Sequence, residues 1–281
     1  MSVFDIPHPP FGHLPRPEEG KLRYHWHRYG YVVLPRFMGW RDRERLRAAC
    51  DRAERTWRDG LPPQRRDSPL SNMAYLTDPR WYDDGRVPAE ILNLVADRSV
   101  LDLIRAICGG EPLFHNTQYF IEQRGADWDG EWHRDTQFLA PDAATERRHI
   151  AQGDSVHFRI ALEDDPWLRI VPGSHRRWDI AREWAIRREH APGNPDGAVS
   201  VALKAGDALL FHAWSIHQGL YRRTPARRTF DVIYLTRGTA EQALTPRSCM
   251  PLPVRLASLP RAARAFYERF ARTYRRAWTS A

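Results

Sequence analysis

The chain has 281 residues, 42% of them hydrophobic, with a formal net charge of +8 and a pI near 9.7. That apolar content is enough for a sizeable buried core and excludes a disordered chain, while the length suits one β-rich unit with helical additions. No apolar run approaches the ~20 residues a bilayer-spanning helix needs, and the Pro- and His-rich stretch from Met1 to Pro17 lacks the apolar segment of a secretory signal.

The positive charge admits a nucleic-acid partner, but its make-up argues otherwise. Of the 43 basic residues only Lys21 and Lys204 are lysine, so 41 are arginine, spread along the whole chain. The dense runs at Arg41–Arg47 and Arg261–Arg276 lie in helical patterns or near the C-terminus and read as solvated faces. Cys50, Cys108 and Cys249 are far apart and form no CxxC pair. Buried thiols in a reducing, cytoplasmic setting are expected.

In chain order, residues 1–20 read as an extended arm. Tyr31–Leu34 is a short apolar strand between Gly30 and Pro35. Residues 41–58 form an amphipathic helix with Leu46, Ala49, Cys50, Ala53 and Trp57 on one face. Residues 60–88 read as a long loop, followed by helices over Ala89–Val95 and Ser99–Cys108, the second stopped by Gly109-Gly110.

Strand signals then dominate: Leu113–Gln123, Trp132–Phe138, Ser155–Leu162 and Leu168–Val171, a helical insertion at Arg177–Glu189, then Ala198–Leu203, Ala208–His212, Ile216–Tyr221 and Thr229–Thr236. Residues 259–277 return to helix. About eight short strands punctuated by Gly and Pro predict a double-sheet jelly roll.

Within this pattern, His133 and Asp135 stand two apart in a predicted strand, where positions i and i+2 share a face and can grip one ion from one side. His217 follows 82 residues after Asp135, in another strand. Two imidazoles and one carboxylate leave three adjacent coordination positions open, the facial triad of non-haem iron(II) oxygenases. The other reading of an isolated HxD is a surface His paired with an Asp. Arg228 lies 11 residues beyond His217, across a Thr224-Pro225 turn. Its guanidinium fork suits a dicarboxylate, because it binds carboxylate bidentately and keeps its charge.

Further motifs join these. Tyr29-Gly-Tyr-Val-Val-Leu-Pro35, Trp132-His-Arg-Asp135, Val171-Pro-Gly-Ser-His-Arg176, and Gly206-Asp-Ala-Leu-Leu-Phe-His212 leading to His217 and Arg228 occur in order. Together they resemble the phytanoyl-CoA dioxygenase-like family of iron(II)/2-oxoglutarate oxygenases, over residues 24–240.

The resemblance implies a mainly β fold with flanking helices around a double-stranded β-helix core, a cupin-like jelly roll forming a single oxygenase domain over 1–281. It implies iron(II), 2-oxoglutarate and O2 as cofactors, with His133, Asp135 and His217 as iron ligands. Arg228 would bind the distal carboxylate of 2-oxoglutarate; Arg227, on the opposite strand face, would not. Where the family often has Ser or Thr two residues after the distal His, this chain has Gly219, and Asn116, Gln118 or Arg159 are candidates to supply the missing polar contact.

His115, His157 and His212 read as buried structural imidazoles, and His175 as a turn residue. Trp128, Trp132, Trp178, Trp184 and Trp214 are candidate pocket walls or core. The expected reaction is hydroxylation of a small organic substrate, a secondary-metabolite intermediate, with desaturation or epoxidation open to the same ligands. The alternatives are a nucleic-acid-modifying oxygenase and a non-enzymatic cupin-like metal-binding protein. No membrane association is expected, and the oligomeric state stays open.

Overall fold

A computed structural model describes residues 16–66, 72–121, 126–138, 140, 142–237, 256 and 259–279. Among the described residues ten strands run in chain order: β1 (Tyr31–Leu34), β2 (Asn72–Ala74), β3 (Leu113–Phe120), β4 (Trp128–Asp129), β5 (Asp154–Ala161), β6 (Asp165–Ile170), β7 (Val199–Leu203), β8 (Ala208–His212), β9 (His217–Tyr221) and β10 (Thr229–Arg237). They form a six-stranded sheet ordered β1-β8-β5-β10-β3-β2 and a four-stranded sheet ordered β4-β9-β6-β7. Every registered pair is antiparallel.

Alternation along β10 shows how the layers are assigned. Phe230, Val232 and Tyr234 belong to the large apolar cluster shared with the helices. The intervening Asp231 turns to the other side, where it meets His157 and Arg159 of β5. Between the two sheets lies a smaller cluster built from Ala161, Leu168, Ile170, Val201, Leu203, Leu209 and Phe211. The result is the jelly roll expected from the strand count, with helices on the outer face of the larger sheet.

The helices among the described residues are α1 (Arg16–Tyr29), α2 (Trp40–Asp59), α3 (Pro63–Arg66), α4 (Ala89–Val95), α5 (Arg98–Cys108), α6 (Ala143–Gln152) and α7 (Ala181–Arg188), followed by a C-terminal helix, Arg261–Thr279; α1, α2, α4, α5 and the C-terminal helix supply the side chains packed against the larger sheet. In α5, Asp97 caps the N-terminus by accepting from Ser99 N and Val100 N, and Val100, Leu101, Leu103, Ile104 and Ile107 are buried. Each such side chain contributes about 1.5–3 kcal/mol on leaving water, which fixes the helix to the sheet. The arginine-rich stretch in α2 is largely self-paired, as in Arg45–Asp42 and Arg47–Glu44.

Several expectations need correction. Residues 16–20 are not an extended arm but the first turn of α1, and residues 1–15 lie outside the described residues, as does Cys249. The predicted loop over 60–88 contains α3, β2 and a 3-10 turn at Pro79–Trp81. Trp132–Phe138 is not a strand: His133 makes an isolated bridge to His217, and Asp135–Phe138 is a 3-10 turn. The insertion predicted as one helix over Arg177–Glu189 begins only at Ala181, and α6 was not foreseen. No helix among the described residues is long and apolar enough to cross a membrane.

Candidate active site

His217 opens β9, and its backbone exchanges two 2.9 Å hydrogen bonds with His133. Asp135 N donates to Ala213 O at 3.0 Å, so the turn carrying the first motif is stitched onto the strand carrying the second. Each histidine is oriented by its own chain: His133 Nδ1 lies 2.8 Å from Glu131 O, and His217 Nδ1 lies 2.9 Å from Ser215 O. A carbonyl can only accept, so Nδ1 carries the proton in both rings and Nε2 keeps a free lone pair.

Those two Nε2 atoms stand 3.4 and 3.5 Å from Oδ1 of Asp135. Neighbouring ligands bound at about 2.1 Å around one ion lie about 3 Å apart, so a slight closure suits a metal. Among the described residues this is the group whose His, Cys and carboxylate atoms converge, all within 4.8 Å of one another. Burial, and then the nearby His133, lower the His217 pKa to about 3, which favours the neutral form that metal binding requires. Burial opposes ionisation of Asp135, yet the imidazoles of His133 and His157 against its oxygens hold its carboxyl well below the usual range.

The turn carrying His133 and Asp135 is pinned from behind by Arg134, whose side chain is fully buried. Its Nε and Nη2 donate to Asp179 Oδ1 at 2.9 and 2.7 Å, and its Nη1 donates to the carbonyls of Ser174 and Trp214. Asp179 also accepts from Arg187, which reaches Gln137 and Glu146, and Glu146 accepts from Thr136. Two cations and two anions thus balance beside the ligands. The Pro-Gly-Ser-His turn closes the brace, for the Ser174 hydroxyl accepts from Ile216 N, one residue before the distal ligand. We expect Arg134→Met to cost about 3 kcal/mol, because it strands buried acceptors. Urea unfolding checks this, and a loss well under 1 kcal/mol would contradict it.

The three converging groups open into a cavity of about 440 Å³ that also receives Phe120, Phe211, Tyr221, Arg159 and Arg227. Arg227 is fully buried, and none of its three guanidinium nitrogens has a hydrogen-bond partner. Its neighbours are Asp165 at 3.5 Å and the rings of Phe120 and Tyr221, at 4.6 and 5.3 Å from the guanidinium carbon.

Arg228 is elsewhere. It faces α2, where Nη1 donates to Asp51 at 2.6 Å and Nε pairs with Glu163 at 3.3 Å. The two arginines do fall on opposite faces, as strand alternation requires, but the assignment of faces is reversed. The even positions of β10 belong to the helix side, and Arg228 is in step with them.

The other candidates divide. Gln118 and Arg159 line the cavity. Arg159 grips Asp231 through Nε and Nη2, leaving Nη1 without a hydrogen bond. Asn116 does not line it: its carbonyl oxygen accepts from Thr117 N at 2.7 Å and Tyr75 N at 3.3 Å. Gly219 has a different consequence from the one expected. His217, Gly219 and Tyr221 alternate onto the cavity face of β9, and a Cβ on Gly219 would stand 2.7 Å from Arg227 Nη1. The missing side chain makes room for the guanidinium.

The sequence profile of the phytanoyl-CoA dioxygenase (PhyH) family matches residues 26–230. The chain belongs to this family. As a PhyH-family protein it is a non-haem iron(II), 2-oxoglutarate-dependent oxygenase, with iron(II), 2-oxoglutarate and O2 as cofactors. No curated protein matches it.

Solved structures share the fold at low identity. They include the non-heme alpha ketoglutarate dependent epimerase SnoN from nogalamycin biosynthesis, at 18% identity and TM-score 0.55 over 79% of this chain and 82% of that one. The carbocyclase SnoK from the same biosynthesis matches at 19% and 0.56 over 76% and 83%. EctD from S. alaskensis, solved with 2-oxoglutarate and 5-hydroxyectoine, matches at 18% and 0.57 over 79% and 76%.

In this PhyH-family chain His212, His175, His115 and His157 stand outside the converging trio. His212 stacks on Trp26 and meets Asp154 at 3.2 Å, and His175 is buried beside it. Burial lowers His115 to about 4. His157 differs, because it lies between two carboxylates, Asp135 and Asp231. Burial opposes its charge, but those hydrogen bonds outweigh the penalty and raise its pKa. Of the five candidate pocket-wall tryptophans, Trp128 lines the cavity, stacked on Tyr221 at 4.3 Å; Trp132 and Trp214 are buried packing.

Proposed function

We propose that His133, Asp135 and His217 hold the iron, that Arg227 binds the distal carboxylate of 2-oxoglutarate, and that the enzyme hydroxylates a small organic molecule, a secondary-metabolite intermediate. The observation that carries this reading is Arg227 itself: a fully buried guanidinium without hydrogen-bond partners, in the same cavity as the three convergent ligands. A buried cation with unused donors is costly unless an anion arrives to take them.

The bound iron and 2-oxoglutarate would supply the oxidising chemistry, releasing succinate and CO2. The chain's own residues set the geometry. His133 and His217 present unprotonated Nε2 atoms, and Asp135 adds one anionic oxygen. Phe120, Phe211 and Leu168 give the cavity apolar walls that exclude water. Trp128 lies at its edge and the largely exposed Phe138 beside His133, where an organic substrate would first make contact. Small-molecule chemistry of SnoN, SnoK and EctD supports that substrate class. A cytoplasmic location belongs to the same reading.

Asp135 bears on reaction type. A carboxylate in the third facial position leaves no vacancy for chloride once the co-substrate and oxygen are accommodated, so hydroxylation is expected over chlorination. The test is a substrate-library screen in chloride buffer, reading succinate release and product mass. A product heavier by one oxygen atom, formed only with 2-oxoglutarate, is the expected result. A chlorinated product would overturn the assignment of Asp135, and absence of succinate with any substrate would favour a cupin-like binding protein.

A further inference from the structure

The carboxylate of Asp135 is divided between two tasks. Its Oδ1 faces Nε2 of His133 and His217 at 3.4 and 3.5 Å, while its Oδ2 lies 2.8 Å from Nε2 of His157. His157 stands on β5, its side chain only 4% exposed, with its ring stacked on Phe211 at 4.5 Å. Its Nδ1 is 3.1 Å from Oδ2 of Asp231, and Arg159 holds both oxygens of Asp231 at 2.8 Å. The sheet fixes all three partners, because β10 pairs Asp231 with Arg159 and Ile233 with His157.

The backbone of Asp135 is held to Ala213, but that bond does not decide which carboxylate oxygen faces the histidines. Asp135 begins a 3-10 turn and not a strand, and its side chain is 28% exposed. A carboxylate free to rotate can bind an ion through both oxygens. That would consume one of the three positions a facial triad must leave open. Holding Oδ2 on the sheet removes this option and leaves Oδ1 alone toward the histidines.

Resting on the iron-site reading above, we propose that His157 is a positioning residue for the metal centre, fixing Asp135 as a one-oxygen ligand. The chain from Asp135 through His157 and Asp231 to Arg159 then ties this carboxylate to two neighbouring strands. Groups that orient metal ligands in this way are worth about 10- to 100-fold in metal affinity.

Two substitutions separate this role from a merely structural one. The side-chain nitrogen of His157→Gln sits near the place of Nε2 and can still donate to Asp135. That of His157→Asn sits near Nδ1 and can reach only Asp231. Cobalt(II) serves as the probe, its affinity and visible absorption spectrum being read on the purified full chain without turnover.

His157→Gln is expected to keep the affinity and spectrum of the unmodified protein. His157→Asn is expected to weaken binding by about 10- to 100-fold and to change the spectrum. Should the Asn variant fail to fold by circular dichroism, His157→Met, of similar reach but with no donor, takes its place. Equal behaviour of the two variants, or stronger binding by Asn than by Gln, overturns the proposal while leaving the triad intact. If the unmodified chain does not bind cobalt, the iron site itself falls, and this inference with it.

Discussion

Arg227→Ala is expected to raise the KM for 2-oxoglutarate by about 100-fold or more, while Arg228→Ala changes it little. A buried, charge-assisted, bidentate contact is worth about 2–4 kcal/mol, and about 1.4 kcal/mol corresponds to each tenfold change. Arg227 has the geometry for such a contact: it is fully buried, its donors are unused, and it lies in the cavity of the converging ligands. Arg228 is already engaged by Asp51 and Glu163 on the far side of the sheet. Succinate formation as a function of 2-oxoglutarate concentration measures both variants. Thermal melting of the metal-free proteins checks that Arg227→Ala, which leaves Asp165 with a weaker environment, is still folded. A larger KM effect at Arg228 would reverse the assignment.

His217→Ala is expected to abolish iron binding and turnover together. His217 offers one of three convergent candidate ligand atoms, and burial has already removed the cost of deprotonating it, its pKa being lowered to about 3. With one imidazole gone, the remaining His133 and Asp135 form an incomplete grip, partly open to water. The measurement is iron stoichiometry by metal analysis after anaerobic loading, with His133→Ala as the matched control. Retention of full iron affinity by the His217 variant would show that the ion sits elsewhere.

Much of this protein was legible from its residues. Alternating apolar strands with Gly and Pro between them announced the jelly roll, and a strand's period of two is a local property. The convergence of His133, Asp135 and His217 was also legible, because they are chemically marked and regularly placed among other motifs. The local reason given for their convergence was nevertheless mistaken. His133 and Asp135 share a side because a 3-10 turn is stitched to β9 through Ala213 and His217, not because a strand alternates.

Tertiary structure decided the rest. Alternation separates Arg227 from Arg228, but which of them faces the cavity depends on how β10 is laid against β5, and a one-residue slip exchanges the faces. A signal was present: Phe230, Val232 and Tyr234 are apolar and mark the core side, which places Arg227, Thr229 and Asp231 opposite. Gly219 read as a missing contact, and only the approach of Arg227 showed it to be a space.

The supports of the site were out of reach altogether. Arg134 meets Asp179 across 45 residues, and His157 meets Asp231 across 74. Among 41 arginines and many acids, nothing local distinguishes these pairs from solvated surface charges. The sequence by itself determined the fold class and the chemistry of the ligands, because those depend on residue type and short-range periodicity. Which arginine faces the cavity, and how the turn bearing His133 and Asp135 is braced, were decided by strand register and buried ion pairing, which exist only once distant segments are packed together.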